Sequence, residues 1–237
     1  MEGYLLLHGF TGSAEDFGEL PRRMKEKGGW VRCPVLAGHQ GGRSQMRQTT
    51  WEDWVDTAER NLSELNRISS QVTVIGFSMG ALIAVLLSDQ NHSVKRLVLM
   101  APPVFPNALE WFCGVANGIK NRANGTHRPY LRSYIRRYSR ASVRSVHEMH
   151  RLLRATKPVY GRLSKPTLII QGARDDIAHP KGAKEIYDRL TVQEKKMVIL
   201  PQSRHLICVG PERDRVYQEV FSFLSLPDYE EKEADWH

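Results

Sequence analysis

Long apolar runs are missing from this chain. The longest, from Ala81 to Leu87, falls far short of the roughly 20 residues that a membrane-spanning helix needs. No basic stretch followed by an apolar one opens the sequence, so no secretory leader is expected. Cysteine is scarce: Cys33, Cys113 and Cys208 are odd in number and share no metal-like spacing. That argues against a disulfide framework and against a structural metal, and it favours free thiols in a cytoplasmic protein. A uniform charge excess is missing too. The formal net charge is +8, but 12 of the 34 Lys and Arg lie between Lys120 and Arg162, where Glu148 is the one acid. The remaining residues carry a slight acidic excess, which disfavours nucleic acid as a partner.

What is present is ordinary globular composition, with 41% hydrophobic and 25% charged residues over 237 positions. That length suits one domain with an insertion and can bury a core without staples. Short apolar runs recur at Tyr4–His8, Trp30–Cys33, Val72–Ile75, Leu97–Ala101, Thr167–Gln171 and Met197–Leu200. Runs such as Val-Thr-Val-Ile are apolar throughout, as in strands covered on both faces. Helical patterns alternate with them: Asp16 to Lys27, Trp51 to Leu65, Met79 to Ser88, Gly182 to Leu190 and Pro211 to Leu224. The alternation predicts an α/β fold, doubly wound, with a mainly parallel sheet of about six strands. The carboxyl ends of such strands share one edge, where ligands bind. From Pro102 to about Lys165 no buried strand is expected; this segment reads as a helical, Arg-rich cap over residues 102–165. The core then comprises 1–101 and 166–226, and 227–237 is a polar tail.

Gly76-Phe77-Ser78-Met79-Gly80 stands between an apolar strand and a helix. A serine there, flanked by glycines that permit a very tight turn, projects at the strand end beside a helix N-terminus. After the first strand, His8-Gly9-Phe10-Thr11-Gly12-Ser13 can turn back and aim a backbone N–H at a developing anion. His8 suits a bracing hydrogen bond, and the second N–H of such a pair is that of Met79.

A serine hydroxyl needs a histidine within hydrogen-bond reach, itself oriented by a carboxylate. His8 and His39 precede Ser78; His92 falls at the far end of the helix after it; His127, His147 and His150 fall in the cap segment and His237 in the tail. His205, in Gln202-Ser203-Arg204-His205 after the last strand, reaches the required edge, and His179 is a weaker competitor. The acid lies in Gln171-Gly172-Ala173-Arg174-Asp175-Asp176-Ile177, where the residues alone leave Asp175 and Asp176 both open. Whichever is not facing the histidine is expected to cap the next turn or pair with Arg174.

Together, Leu-Leu-Leu-His-Gly-Phe-Thr-Gly at 5–12, Gly-Phe-Ser-Met-Gly at 76–80, Gln-Gly-Ala-Arg-Asp-Asp at 171–176 and Ser-Arg-His at 203–205 resemble the α/β-hydrolase superfamily. Within it the likeness is to small bacterial carboxylesterases and monoacylglycerol lipases. The resemblance implies a Ser78 nucleophile, a His205 base and Asp175 as the acid, three residues after Gly172. It implies oxyanion donors at the backbone of Phe10 and Met79, and no cofactor or metal. It also implies that the chain starts at the usual third strand of the fold, giving a minimal sheet, with the cap between the sixth and seventh family strands. Two departures stand out: Gln40 in what resembles a Gly-His-Gly loop, and Arg204 where relatives often have glycine.

The cap segment covers the acyl pocket in such enzymes, so Phe105, Trp111 and Phe112, with Leu109 and Val115, are candidates to contact substrate. Docking the cap onto the body is an equal reading for each. Its arginines suit a solvated helix face, or attraction for an anionic substrate or membrane surface. The expected activity is hydrolysis of a small carboxylic ester, short- to medium-chain or monoacylglycerol-like, through an acyl-enzyme. The same triad serves thioesterases, lysophospholipases and carbon–carbon bond hydrolases. A rival of another class is a non-catalytic module that sets the basic segment against an anionic surface.

Overall fold

In a computed structural model of the chain, residues 2–104, 116, 135 and 137–226 are described. The sheet has six strands, all parallel: β1 (Gly3–Leu7), β2 (Trp30–Arg32), β3 (Val72–Phe77), β4 (Val94–Met100), β5 (Thr167–Gly172) and β6 (Lys195–Leu200), in the spatial order β2-β1-β3-β4-β5-β6. Each expected strand is present, with no end shifted by more than three residues. The central strands β1, β3 and β5 are buried along their whole length, the pattern of a sheet covered on both faces.

Side chains along each strand alternate between the two faces. Leu5, Leu7, Val72, Val74, Leu97, Leu99 and Ile169 enter one core. With them pack α3 (Trp51–Asn66), α4 (Met79–Gln90), α5 (Val143–Thr156) and α6 (Pro180–Arg189). Tyr4, Leu6, Ile75, Phe77, Val98, Met100, Leu168 and Ile170 enter the other, against α1 (Leu20–Glu26) and α7 (Arg213–Phe223). The doubly wound α/β arrangement follows from this two-sided burial.

Local chemistry fixes the helix starts. Thr50 and Asp53 form a reciprocal capping box that opens α3, whose Trp54, Ala58, Leu62 and Leu65 face the core. Ser142 and Ser145 do the same for α5. Helix α4 is buried from Met79 to Ser88, because α3 and α5 cover the side that the sheet leaves open. The short helix α2 (Arg43–Gln48), after Gly41-Gly42, has no counterpart in the sequence reading. Where one helix was expected from Asp16 to Lys27, a 3-10 turn at Ala14–Phe17 and α1 are separated by Gly18, whose φ of 55° breaks the helical path.

Among the described residues no strand lies between β4 and β5. Phe105, Leu109, Trp111, Phe112, Val115 and Cys113, and the tail 227–237, lie outside the described residues. Helix α5 occupies the Arg-rich helical stretch expected there, and it docks on the body through buried Glu148, which accepts the Trp51 N–H at 3.3 Å.

Candidate active site

Ser78 joins β3 to α4 with φ 53° and ψ −117°, a positive φ that costs a non-glycine residue about 1–3 kcal/mol. The surroundings enforce it. The Ser78 N–H donates to Met100 O at 2.8 Å, and the chain must turn at once into a helix pressed against β1. A Cβ at Gly76 would collide with the Gly80 carbonyl, and one at Gly80 with the Leu7 carbonyl of β1. Both glycines of the motif are therefore required by close backbone approach.

His205 arrives on the loop after β6. Glu212 anchors that loop by accepting from the Gln202 N–H at 2.9 Å and the Ser203 hydroxyl at 2.7 Å. The His205 Nδ1–Asp175 Oδ2 distance is 2.9 Å, and Nε2 lies 3.0 Å from Ser78 Oγ. An ionised carboxylate only accepts, so Nδ1 carries the hydrogen and the Nε2 lone pair faces the serine hydroxyl. The imidazole rests on Phe77 with ring centroids 5.0 Å apart. All three residues are buried among their neighbours, with Ser78 only 6% exposed.

Asp175, on the loop after β5, accepts four hydrogen bonds. Oδ1 takes the Ile177 and Ala178 N–H groups, each at 2.8 Å; Oδ2 takes Gln171 Nε2 at 2.9 Å beside His205. The neighbouring acid points elsewhere: Asp176 Oδ2 accepts from Arg204 Nη1 at 3.2 Å. The Arg174 backbone N–H donates to Ser203 O at 3.0 Å, tying this loop to the one that bears His205. His179 is exposed, and its Nδ1 accepts the Lys181 N–H at the start of α6, a capping role.

The turn after β1 closes with the Gly12 N–H donating to Gly9 O at 2.9 Å, and Gly9 abuts the elbow: a Cβ there would lie 3.2 Å from Ser78 Cβ. Met79 is the first residue of α4, where an amide has no acceptor within its helix. Phe10 is buried, its ring edge-on to Trp54 and His39 at 6.1 and 6.4 Å between centroids. His8 braces the turn: Nδ1–H donates to Gly9 O at 2.9 Å and Nε2 accepts the Leu36 N–H at 3.1 Å. Burial lowers the His8 pKa below its usual range and takes that of His39 to about 3, so both rings stay neutral.

Gln171, which holds the Asp175 carboxylate, was not singled out as a functional residue. Nor was Asp16, which accepts the Gly9 N–H at 3.0 Å. The periodicity marks Gln171 only as the end of a strand, and Asp16 only as the start of a helix.

Among the described residues of the arginine-rich segment, some cations are paired with acids of the body. Arg137 pairs with Asp16, Arg151 with Glu148 and Glu52, and Arg162 with Asp89. Arg144 and His147 instead line, with Arg43, Ser44 and Arg47, an open cleft of about 860 Å³ between α2 and α5. A second cleft, of about 340 Å³, is lined by Val104, Leu153, Tyr160 and Ile186 among others. Neither is lined by Ser78, Asp175 or His205.

Residues 4–219 match the model of the alpha/beta hydrolase family. A carboxylesterase of Bacillus subtilis (strain 168) is 24% identical over 229 residues, covering 95% of this chain and 93% of that protein. A thermostable monoacylglycerol lipase of Bacillus sp. (strain H-257) is also 24% identical, covering 94% of this chain and 90% of the relative. Among solved structures, a Paleococcus ferrophilus monoacylglycerol lipase superposes with a TM-score of 0.73 at 17% identity, over 94% of this chain and 93% of the other.

Proposed function

The chain belongs to the alpha/beta hydrolase family, and from that premise we propose that it hydrolyses carboxylic esters through an acyl-enzyme on Ser78. The observation that carries this reading is the relay Asp175–His205–Ser78, with 2.9 and 3.0 Å links and an imidazole lone pair on the hydroxyl. The names of the two Bacillus relatives support the same chemistry.

In the proposed reaction His205 Nε2 takes the Ser78 proton as Oγ bonds to the ester carbonyl carbon. The carbonyl π electrons move to oxygen, and the N–H groups of Phe10 and Met79 stabilise that anion. Asp175 holds the imidazole in register and stabilises the imidazolium, while His205 returns the proton to the departing alkoxide. Water, deprotonated by the same nitrogen, then attacks the acyl-enzyme and releases the acid. No step requires a metal or an organic cofactor. The substrate is a small ester, with short acyl chains and monoacylglycerols the leading candidates. A cytoplasmic setting fits the free thiols of Cys33 and Cys208. Among the described residues no helix is long and apolar enough to cross a membrane.

Turnover of p-nitrophenyl esters by the purified protein, with Ser78→Ala as its partner, tests the assignment. The variant keeps the wild-type circular dichroism and loses turnover. Ester hydrolysis that persists in it would remove Ser78 from the mechanism.

A further inference from the structure

Arg137, in the segment between β4 and β5, reaches the turn that bears Phe10. Asp16 sits in the 3-10 turn Ala14–Phe17 with its side chain wholly buried. Its Oδ2 accepts the Gly9 N–H at 3.0 Å, and its Oδ1 pairs with Arg137 Nη2, whose side chain is 18% exposed. The carboxylate fills its place tightly, since a Cβ on Gly12 would run into it. Of its basic neighbours among the described residues, His8 and His39 give no compensation, because burial keeps both neutral.

We propose that Arg137 is a positioning residue of electrostatic kind, which neutralises Asp16 so that no net negative charge stands behind the oxyanion turn. The proposal rests on the ester-hydrolase reading of Ser78 and assigns to Arg137 a role that packing alone does not require. Asp16 ties the Gly9 amide in place, one residue before the Phe10 amide that faces the oxyanion. A carboxylate serves that structural purpose, but its charge opposes the charge that develops in the transition state. From Asp16 Oδ2 to Gly9 N is 3.0 Å, and one further residue and one hydrogen bond bring the oxyanion to about 8 Å. At an effective dielectric of about 20, an uncompensated unit charge at that distance slows the reaction on the order of 10- to 50-fold. With Arg137 in place, the tether keeps its geometry without that penalty.

The test compares Arg137→Met, Arg137→Lys, Asp16→Asn and the double variant Asp16→Asn/Arg137→Met with wild type. Readouts are kcat and KM on p-nitrophenyl acetate, the rate of fluorophosphonate labelling of Ser78, and circular dichroism. Arg137→Met should lower kcat 10- to 50-fold with KM changed less than threefold, and Arg137→Lys should recover most of that loss. The double variant, which removes both charges, should be at least fivefold faster than Arg137→Met. Asp16→Asn, which leaves the cation, should lose at least fivefold less than Arg137→Met. A mechanical tether predicts the reverse: both single variants impaired alike and the double variant no better. That result overturns the proposal, as does an unchanged kcat in Arg137→Met. Should Arg137→Met not fold, Asp16→Asn decides, because a loss of tenfold or more with the cation present refutes a charge effect. Wild-type protein that neither hydrolyses the ester nor reacts with the probe overturns the ester reading and this proposal together. Active wild type with an indifferent Arg137→Met overturns only this one.

Discussion

Replacing Asp175 by asparagine changes one oxygen for an NH2 group at a carboxylate that accepts four hydrogen bonds. Two orientations are open to the amide. With NH2 in place of Oδ1 it faces the Ile177 and Ala178 N–H groups, and two 2.8 Å bonds are lost; each buried donor left unpaired costs about 1–3 kcal/mol. With NH2 in place of Oδ2 it faces Gln171 and His205. A flip of the Gln171 amide, whose Oε1 is buried without a partner among the described residues, can present an acceptor to the new NH2, but it gives up the Nε2–H bonds to Ala178 O at 2.9 Å and Gly172 O at 3.2 Å. The second orientation keeps both backbone bonds at the other oxygen, and the variant is expected to fold in it. The NH2 group then requires an acceptor at His205 Nδ1. The imidazole becomes the Nε2–H tautomer, which donates to Ser78 Oγ and cannot take its proton. Catalysis by the wrong tautomer is expected to fall about 10⁴-fold in kcat, about 5.5 kcal/mol of barrier, with KM little altered. Steady-state hydrolysis of p-nitrophenyl esters measures the effect, with thermal denaturation as the check on folding. Asp176→Asn is the control: its carboxylate pairs with Arg204, whereas the carboxylate bonded to His205 is that of Asp175, so the variant's kcat should change less than tenfold. A folded Asp175→Asn within tenfold of wild type, or equal losses in both variants, would refute the reasoning.

Gly80→Ala drives a methyl group into the Leu7 carbonyl of β1, so backbone must move; a loss of about 2 kcal/mol or more is expected. For a domain of this size the Tm should fall by about 4 °C or more, and an unchanged Tm would count against the close approach of α4 and β1. Acid should weaken the fold through His39. Burial takes its pKa from 6.5 unfolded to about 3 folded, so between those values only the unfolded chain binds the proton. Its stabilising contribution is complete above pH 6.5 and declines as pH falls, by about 2 kcal/mol at pH 5. Urea midpoints measured across that range should show a flatter dependence in His39→Phe, and an identical slope would exclude His39 as the source.

The order of strands and helices was legible because its causes are local. Apolar runs of strand length and three-to-four spacing report burial on two faces directly, and β1, β3, β5 and α4 are placed almost residue for residue. Helix α2 was not legible: its six residues bury Met46 alone, too few to give a period. Ser78 and His205 could be found from chain position, since a sheet with one carboxyl edge leaves few loops that can meet. The choice between Asp175 and Asp176 could not be made from the residues, because both follow the same strand and differ only in which way each points. Long-range pairs were illegible for the same reason. Arg204 looked like a departure and Asp176 like a spare acid; the structure makes each the partner of the other across 28 residues. Asp16 and Arg137 are 121 residues apart, and nothing in either neighbourhood names the other.

These pairings bear on how three acids can crowd the sheet edge at which the proposed mechanism stabilises an anion. Asp16 and Asp176 are each matched by a fixed guanidinium, from Arg137 and Arg204. Among the described residues Asp175 is matched only by two backbone N–H groups, the Gln171 amide and the imidazole of His205. Neutral dipoles hold a carboxylate in place without cancelling its charge. When His205 takes the Ser78 proton in the proposed reaction, the new imidazolium is next to the one acid of the three that lacks a cation. On the proposed mechanism the charge of Asp175 then acts on the imidazolium, while Asp16 and Asp176 are each offset by a guanidinium. Had the loop after β5 presented Asp176 to the histidine instead, Arg204 would already hold the charge that the imidazolium requires. Charge compensation as well as distance therefore supports the proposal of Asp175 as the acid.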